Sequence, residues 1–285
     1  PELPAIAAAL APYGGRAQVV GLTGSPGVGK STTTNELVRA LRRAGNRVGV
    51  LAVDPSSPFT GGAILGDRVR MQDHATDPGV YIRSMSSRGH LGGLAAATPQ
   101  AVRVLEGAGC DVVLVETVGV GQAEVEVASL ADTTLVLLAP GMGDAVQAVK
   151  AGILEIADVF VVNKADRDGA DATYHDIQGM IGLAERKPGE WRPQVIRAVA
   201  VRGEGLDDVV AAIDKHRRFL DEHGELRARR ERRACAEIEA IALGVLRERM
   251  GTVRGGSALG VLAARVAAGE LDPYAAADDL LKGIE

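Results

Sequence analysis

The segment Gly24-Ser25-Pro26-Gly27-Val28-Gly29-Lys30-Ser31 constrains this chain more than any other stretch. It satisfies the pattern G-x-x-x-x-G-K-[ST] at every required position. Its flanks agree with it. Ala17 to Leu22 is a short apolar run that reads as a buried strand, and Lys30 to Ala44 reads as a helix stopped by Gly45. A strand, a glycine loop and a helix N-terminus place backbone N–H groups and a positive helix end around a phosphate chain. Lys30 then reaches the β- and γ-phosphates, and the Ser31 hydroxyl ligates Mg²⁺. The competing reading, a glycine-rich turn that binds nothing, is disfavoured by the agreement of motif and context.

The 285 residues suffice for one large α/β domain and an appendage. Aromatic residues make up 3% of the chain, so the predicted core is built from Val, Leu, Ile and Ala, and base-stacking platforms for single strands are not expected. A net charge of −5 gives no reason to expect a nucleic-acid partner. Cys110 and Cys235 stand far apart and form no C-x-x-C pair, which suits a reducing, cytoplasmic setting without a disulfide framework. No apolar run reaches about 18 residues, so no membrane span is predicted. The N-terminal residues lack a basic region followed by an apolar core, which predicts no signal peptide.

Along the chain, Pro4 to Ala11 is a short helix candidate within an N-terminal segment, residues 1–15. Further strands are predicted at Arg47 to Asp54, Cys110 to Glu116, Thr133 to Ala139, Asp158 to Val162 and Val195 to Ala200, with helices at Thr98 to Gly109 and Leu206 to Leu220. Continuous apolar runs alternating with helices indicate an α/β fold, a mostly parallel sheet covered on both faces, over residues 16–220. Residues 221–285 read as a helical extension, interrupted around Gly251 to Gly256. Its basic run Arg227 to Arg233 reads first as a solvated helix face. The alternative is an arm for self-association, for which Ile238, Ile241, Leu243 and Leu246 supply apolar positions.

Ligands of such sheets sit at the carboxyl ends of the strands, where Asp54, Glu116 and Asn163 are expected. Asn163-Lys164-Ala165-Asp166 matches the N-K-x-D element of GTPases. Asp166 would accept hydrogen bonds from guanine N1–H and N2–H₂, a donor pair that adenine lacks. Lys164 would cover the base and Asn163 would tie the loop; the alternative is a polar turn opening a helix. Glu116-Thr117-Val118-Gly119 matches D-x-x-G with Glu for Asp, placing a carboxylate near Mg²⁺ and the Gly119 N–H near the γ-phosphate. Glu116 can act directly, through a metal-bound water, or on the attacking water. Asp54 is a candidate for the Mg²⁺ shell, and hard oxygen ligands are what Mg²⁺ requires. For one such acid the alternative is a cap on the next turn.

Phe59 to Arg70 and Ser84 to Gly93 are glycine-containing polar segments between core elements, of the kind that γ-phosphate and Mg²⁺ order. Within them, Asp67 is a further metal-shell candidate and Arg88 a candidate charge stabiliser for phosphoryl transfer, or a surface arginine. Gly141 to Lys150 is a third such segment, where Gln147 and Lys150 at i, i+3 share a helical face that also reads as plainly exposed. The five histidines are scattered and pair with no cysteine at ligand spacing, so no dedicated transition-metal site is predicted.

The residues 24–32, 54–71, 86–93, 116–127 and 163–166 together resemble the MeaB/ArgK/MMAA family. These are GTPases of the signal-recognition-particle-like P-loop class and chaperones of adenosylcobalamin-dependent methylmalonyl-CoA mutase. The resemblance implies a homodimer joined by C-terminal helices, a slow GTPase accelerated by the mutase, and control of cobalamin loading and of damaged-cofactor ejection. It implies Mg²⁺ and GTP or GDP as ligands, and an adenosyltransferase as a further partner. Carried onto this sequence, the nucleotide set is Ser25, Gly27, Val28, Gly29, Lys30, Ser31, Thr32, Asn163, Lys164, Asp166, Ala200 and Val201. Asp54, Asp67 and Glu116 belong to the metal and hydrolysis network, and Gln147 and Lys150 to the loop coupling GTP state to the mutase. One departure is Val199-Ala200 where the fifth GTPase element has Ser-Ala; the Ala200 N–H is still expected to meet guanine O6. Rival readings are a nickel-type metallochaperone, a kinase linked to lysine/arginine/ornithine transport, and an assembly module with negligible turnover.

Overall fold

The computed structural model describes residues 2–54, 71–74, 76–86, 97–117, 122–141, 154–254 and 257–282. Two compact units are present, residues 1–230 and 231–285. In the first, seven parallel strands form one sheet: β1 (Gln18–Thr23), β2 (Val48–Asp54), β3 (Val80–Ser86), β4 (Val112–Thr117), β5 (Thr133–Leu138), β6 (Val159–Val162) and β7 (Gln194–Arg197). Their spatial order is β3-β2-β4-β1-β5-β6-β7. Among the described residues, the longer helices that lie wholly within this unit are α1 (Glu2–Leu10), α2 (Lys30–Arg43), α3 (Thr98–Gly107), α4 (Gln122–Leu130), α5 (Ala170–Leu183) and α6 (Leu206–Glu222).

The central strands β1, β4 and β5 are buried along their whole length and mostly apolar because both faces are covered. Alternation then sends successive side chains to different layers. Val20 and Leu22 of β1 and Val112 and Leu114 of β4 join Leu37, Leu41, Val209 and Ile213 from α2 and α6. Val19 of β1 and Val113 and Val115 of β4 join Val102, Leu105, Val127 and Leu130 from α3 and α4. Two strand glycines allow these last helices to come close. A Cβ on Gly21 would lie 2.7 Å from a Val127 methyl, and one on Gly49 would lie 2.7 Å from Leu105 Cδ1.

The chain runs from β1 to one side of the sheet and from β4 across to β5 on the other, so β1 lies at the topological switch point. The loop after β1 therefore opens between the ends of β4 and β5. The register puts Glu116 beside Leu22 on one side and Ala52 on the other.

Three expectations change. Val80–Ser86 is the edge strand β3, so Ser84 belongs to a strand and not to a polar loop. β7 ends at Arg197, and Ala200–Arg202 is a short 3₁₀ turn. The basic run is not simply a solvated face. It lies in α7 (Glu225–Arg254), where Arg229 and Arg230 are partly buried. Arg229 makes a two-pronged pair with Asp158 (2.9 and 3.1 Å), and Arg230 makes one with Asp132 (2.8 and 3.2 Å). Asp132 and Asp158 immediately precede β5 and β6 and also accept the N–H groups of Val19 and Thr134. They close the edge of the sheet opposite the phosphate loop.

His216 of α6 completes this knot. It is fully buried, with Nδ1 2.9 Å from Thr133 Oγ1 and Nε2 3.2 Å from Asp158 Oδ1, under the Trp191 ring. Burial lowers its pKa to about 4, against the opposing pull of Asp158. The unfolded chain takes up this proton at higher pH, so the neutral imidazole's contribution is complete above about pH 6.5 and is lost as pH falls toward 4. The expected loss is about 3 kcal/mol. Thermal melts from pH 7 to 4 should show it, and His216→Gln should flatten that dependence; an unchanged slope in the variant would refute the assignment.

In residues 231–285, the rest of α7 is followed by α8 (Ser257–Ala267) and α9 (Pro273–Lys282), which pack on each other. Ile238, Ile241, Val245 and Leu246 are each between 44% and 68% exposed. Their i, i+3, i+7, i+8 spacing places them on one face of α7.

Candidate functional site

The phosphate loop is shaped by its glycines. Gly24, Gly27 and Gly29 have φ of 139°, 84° and 98°. At Gly24 a Cβ would lie 2.3 Å from the Leu137 carbonyl oxygen, and at Gly29 it would lie 2.4 Å from Asn163 Nδ2. Both positions need glycine for backbone angle and for close approach. Gly29 is the N-cap of α2, so the helix N-terminus faces the loop. Lys30 is buried, and its Nζ donates to the Gly24 and Ser25 carbonyls at 2.6 and 3.1 Å. Thr32 is exposed on the first turn.

Behind the loop, β4 supplies Glu116, which is 8% exposed. Ser31 Oγ donates to Glu116 Oε1 at 2.6 Å, and Thr34 Oγ1 lies 3.0 Å from Glu116 Oε2. Ser31, Thr34 and Glu116 bring hydroxyl and carboxylate oxygens together here. That hard donor set fits Mg²⁺. No three His, Cys, Asp or Glu side chains gather as a metal-holding group among the described residues. Thr34 was not legible from the loop motif; its only sequence signal is the i, i+3 spacing from Ser31 on α2.

The N-K-x-D segment joins the phosphate loop directly. Asn163 Nδ2 donates to the Val28 carbonyl at 2.8 Å, and Lys164 Nζ donates to the Gly27 carbonyl at 2.7 Å. Lys164 has φ 57°, the one positive value at a non-glycine among the described residues. Such strain persists where surrounding contacts over-determine it. The Ala200 N–H, expected to meet guanine O6, donates to Asn163 Oδ1 at 3.1 Å in this structure. The adjacent Val201 is 79% exposed. Asp166 is exposed and lies 3.7 Å from Arg202, which also pairs with Glu204 at 2.9 Å. A cavity of about 250 Å³ opens there, lined by Asp166, Val199, Arg202 and neighbours. A larger groove of about 630 Å³ between α5 and β7 contains no phosphate-loop residue.

Asp54 closes β2 on the same edge of the sheet. Asp67, Arg88, Gly119, Gln147 and Lys150 lie outside the described residues. Cys110 is buried, which raises its thiol to about 11 and makes it a poor nucleophile. No helix among the described residues is long and apolar enough to cross a membrane.

The arrangement is that of a nucleoside triphosphate site. Residues 3–253 match the family described as methylmalonyl-CoA mutase-associated GTPase MeaB. The chain is 49% identical, over 96% of its length and 85% of the relative's, to a Pyrococcus abyssi protein whose name places it among GTPases. It is 41% identical, over 74% of its length and 52% of the relative's, to the mouse mitochondrial methylmalonic aciduria type A homolog. A crystal structure of a LAO/AO transport system kinase superposes with TM-score 0.70 at 29% identity, covering 97% of this chain and 84% of that one. With the phosphate loop, the Ser31–Glu116 contact and the N-K-x-D bridge in place, the chain belongs to the MeaB family of P-loop GTPases.

Proposed function

We propose that this GTPase is a Mg²⁺-dependent metallocofactor chaperone that gates adenosylcobalamin loading and protection of methylmalonyl-CoA mutase. The observation that carries the nucleotide part is the direct bridge from Asn163 and Lys164 to Val28 and Gly27. It ties a base-reading segment to a phosphate-reading one, so both ends of one nucleotide are read by a single rigid unit. The mutase part is supported by the family match over residues 3–253.

In this reading the loop N–H groups and Lys30 hold the phosphates, Lys164 covers the base and Asp166 pairs with it. Ser31 is the Mg²⁺ ligand. A serine oxygen that faces a metal must direct its proton elsewhere, and Glu116 Oε1 is the acceptor in place. Bound Mg²⁺ supplies charge neutralisation along the phosphate chain. Asp54 and Asp67 complete the hydrolysis network, and Arg88, Gln147 and Lys150 belong to the segments that report the nucleotide to the mutase. GTP turnover with Mg²⁺, measured with and without the adenosylcobalamin-dependent mutase, tests this. A slow basal rate that rises at least about tenfold with the mutase is expected; an unaffected rate would leave a GTPase with another client. Label from γ-phosphate should appear as inorganic phosphate; transfer to a protein would favour the kinase reading.

The exposed apolar face of α7 supports a homodimer through residues 221–285. Replacing Ile238, Ile241 and Leu246 together by Glu should give a monomer by light scattering. A dimer that survives this change would rule out the arm as the interface.

A further inference from the structure

Thr34 lies outside the phosphate-loop motif, yet its hydroxyl reaches the carboxylate that Ser31 uses. Its side chain is fully buried, one helical turn from Ser31 on the same face of α2. Ser31 Oγ is 2.6 Å from Glu116 Oε1 and Thr34 Oγ1 is 3.0 Å from Oε2, so each oxygen of one buried carboxylate has its own hydroxyl. Thr34 Oγ1 is also 3.0 Å from the Lys30 carbonyl. One proton thus faces two acceptors. The Lys30 carbonyl is positioned for the ordinary helical bond from the Thr34 N–H, whereas a bond to the carboxylate is charge-assisted and stronger. The carboxylate is therefore the preferred acceptor. A carboxylate held at both oxygens cannot rotate, and its Oε1 stays aimed at Ser31.

We infer that Thr34 is a positioning residue for the Mg²⁺ site: it locks Glu116 so that Ser31 presents a lone pair, and not its proton, to the metal. The inference rests on the Mg²⁺ reading given above. Partners that orient a metal's ligands typically alter metal affinity by about 10–100-fold when removed.

The test follows release of a fluorescent GDP analogue from the full chain while Mg²⁺ is titrated. Thr34→Val, which keeps the shape and removes the hydroxyl, should raise the Mg²⁺ concentration for half-maximal retention by about tenfold. Thr34→Ser should restore the wild-type midpoint. Release in EDTA should be the same in all three, because loop contacts to the phosphates are intact. In a Glu116→Ala background, Thr34→Val should have no further effect, since its action passes through that carboxylate. Thermal melting checks each fold, and Thr34→Ala is a second hydroxyl-free variant. An unshifted midpoint in both hydroxyl-free variants would overturn the inference, as would faster release in EDTA or an effect that persists without Glu116. A wild-type protein whose GDP release ignores Mg²⁺ would overturn the metal reading itself, a result distinct from variants that merely follow wild type.

Discussion

Asp166→Ala should erase the preference for GTP over ATP. Guanine offers N1–H and N2–H₂ to a carboxylate, and adenine has no such pair, so a site built on that pairing discriminates by about 10⁴-fold or more. Two charge-assisted hydrogen bonds of about 1.5–3 kcal/mol each correspond to a loss of about 10²–10⁴-fold in GTP affinity. ATP affinity should rise, because adenine's N1 lone pair no longer faces an unpaired carboxylate, and the loss for GTP and the gain for ATP together close the gap. Asp166→Asn offers an amide where the carboxylate stood, and should shift preference toward xanthine nucleotides, which carry a carbonyl at C2. Competition binding with GTP, ATP and XTP reads all three effects. Unchanged GTP selectivity in Asp166→Ala would remove the guanine assignment. The phosphate half of the site should be unaffected, because Asn163 and Lys164 make the bridge to the loop and Asp166 does not.

Asp158→Ala should be the most destabilising single change at the opposite edge of the sheet. It removes the carboxylate partner of Arg229 and leaves the Thr134 N–H without its acceptor. Breaking such a pair from one side costs up to about 3–5 kcal/mol, because the Arg229 side chain, 27% exposed, stays largely out of water without its carboxylate. For a unit of this size that is a fall in Tm of about 6–20 °C. Replacing Asp158 by Leu together with Arg229 by Met should recover much of the loss, since an apolar pair of similar volume avoids desolvated charge. A shift in Tm of less than about 2 °C for Asp158→Ala would show that the pair is solvated and weak. The same change should leave GTP selectivity intact, because it touches the amino edge of the strands and not the carboxyl edge.

The amino-acid sequence by itself determined the phosphate loop, the strands flanking it and the position of N-K-x-D after β6. These are local signals. A glycine spacing, an apolar run and a helix stop are each set by a few neighbouring residues. The order in which motifs follow strands placed Asp54, Glu116 and Asn163 on one edge of the sheet. Only the tertiary structure decided what those residues touch. β3 escaped recognition because Val80–Ser86 mixes Arg and Ser with apolar residues, as an edge strand half open to water permits. The basic run looked like a solvated face because its partners, Asp132 and Asp158, lie 98 and 71 residues away in the chain. Thr34 looked like one more helix residue, and its proximity to Glu116, 82 positions on, exists only once α2 is packed against β4. Periodicity records which face of an element is buried; which polar groups meet across that face is fixed by long-range packing.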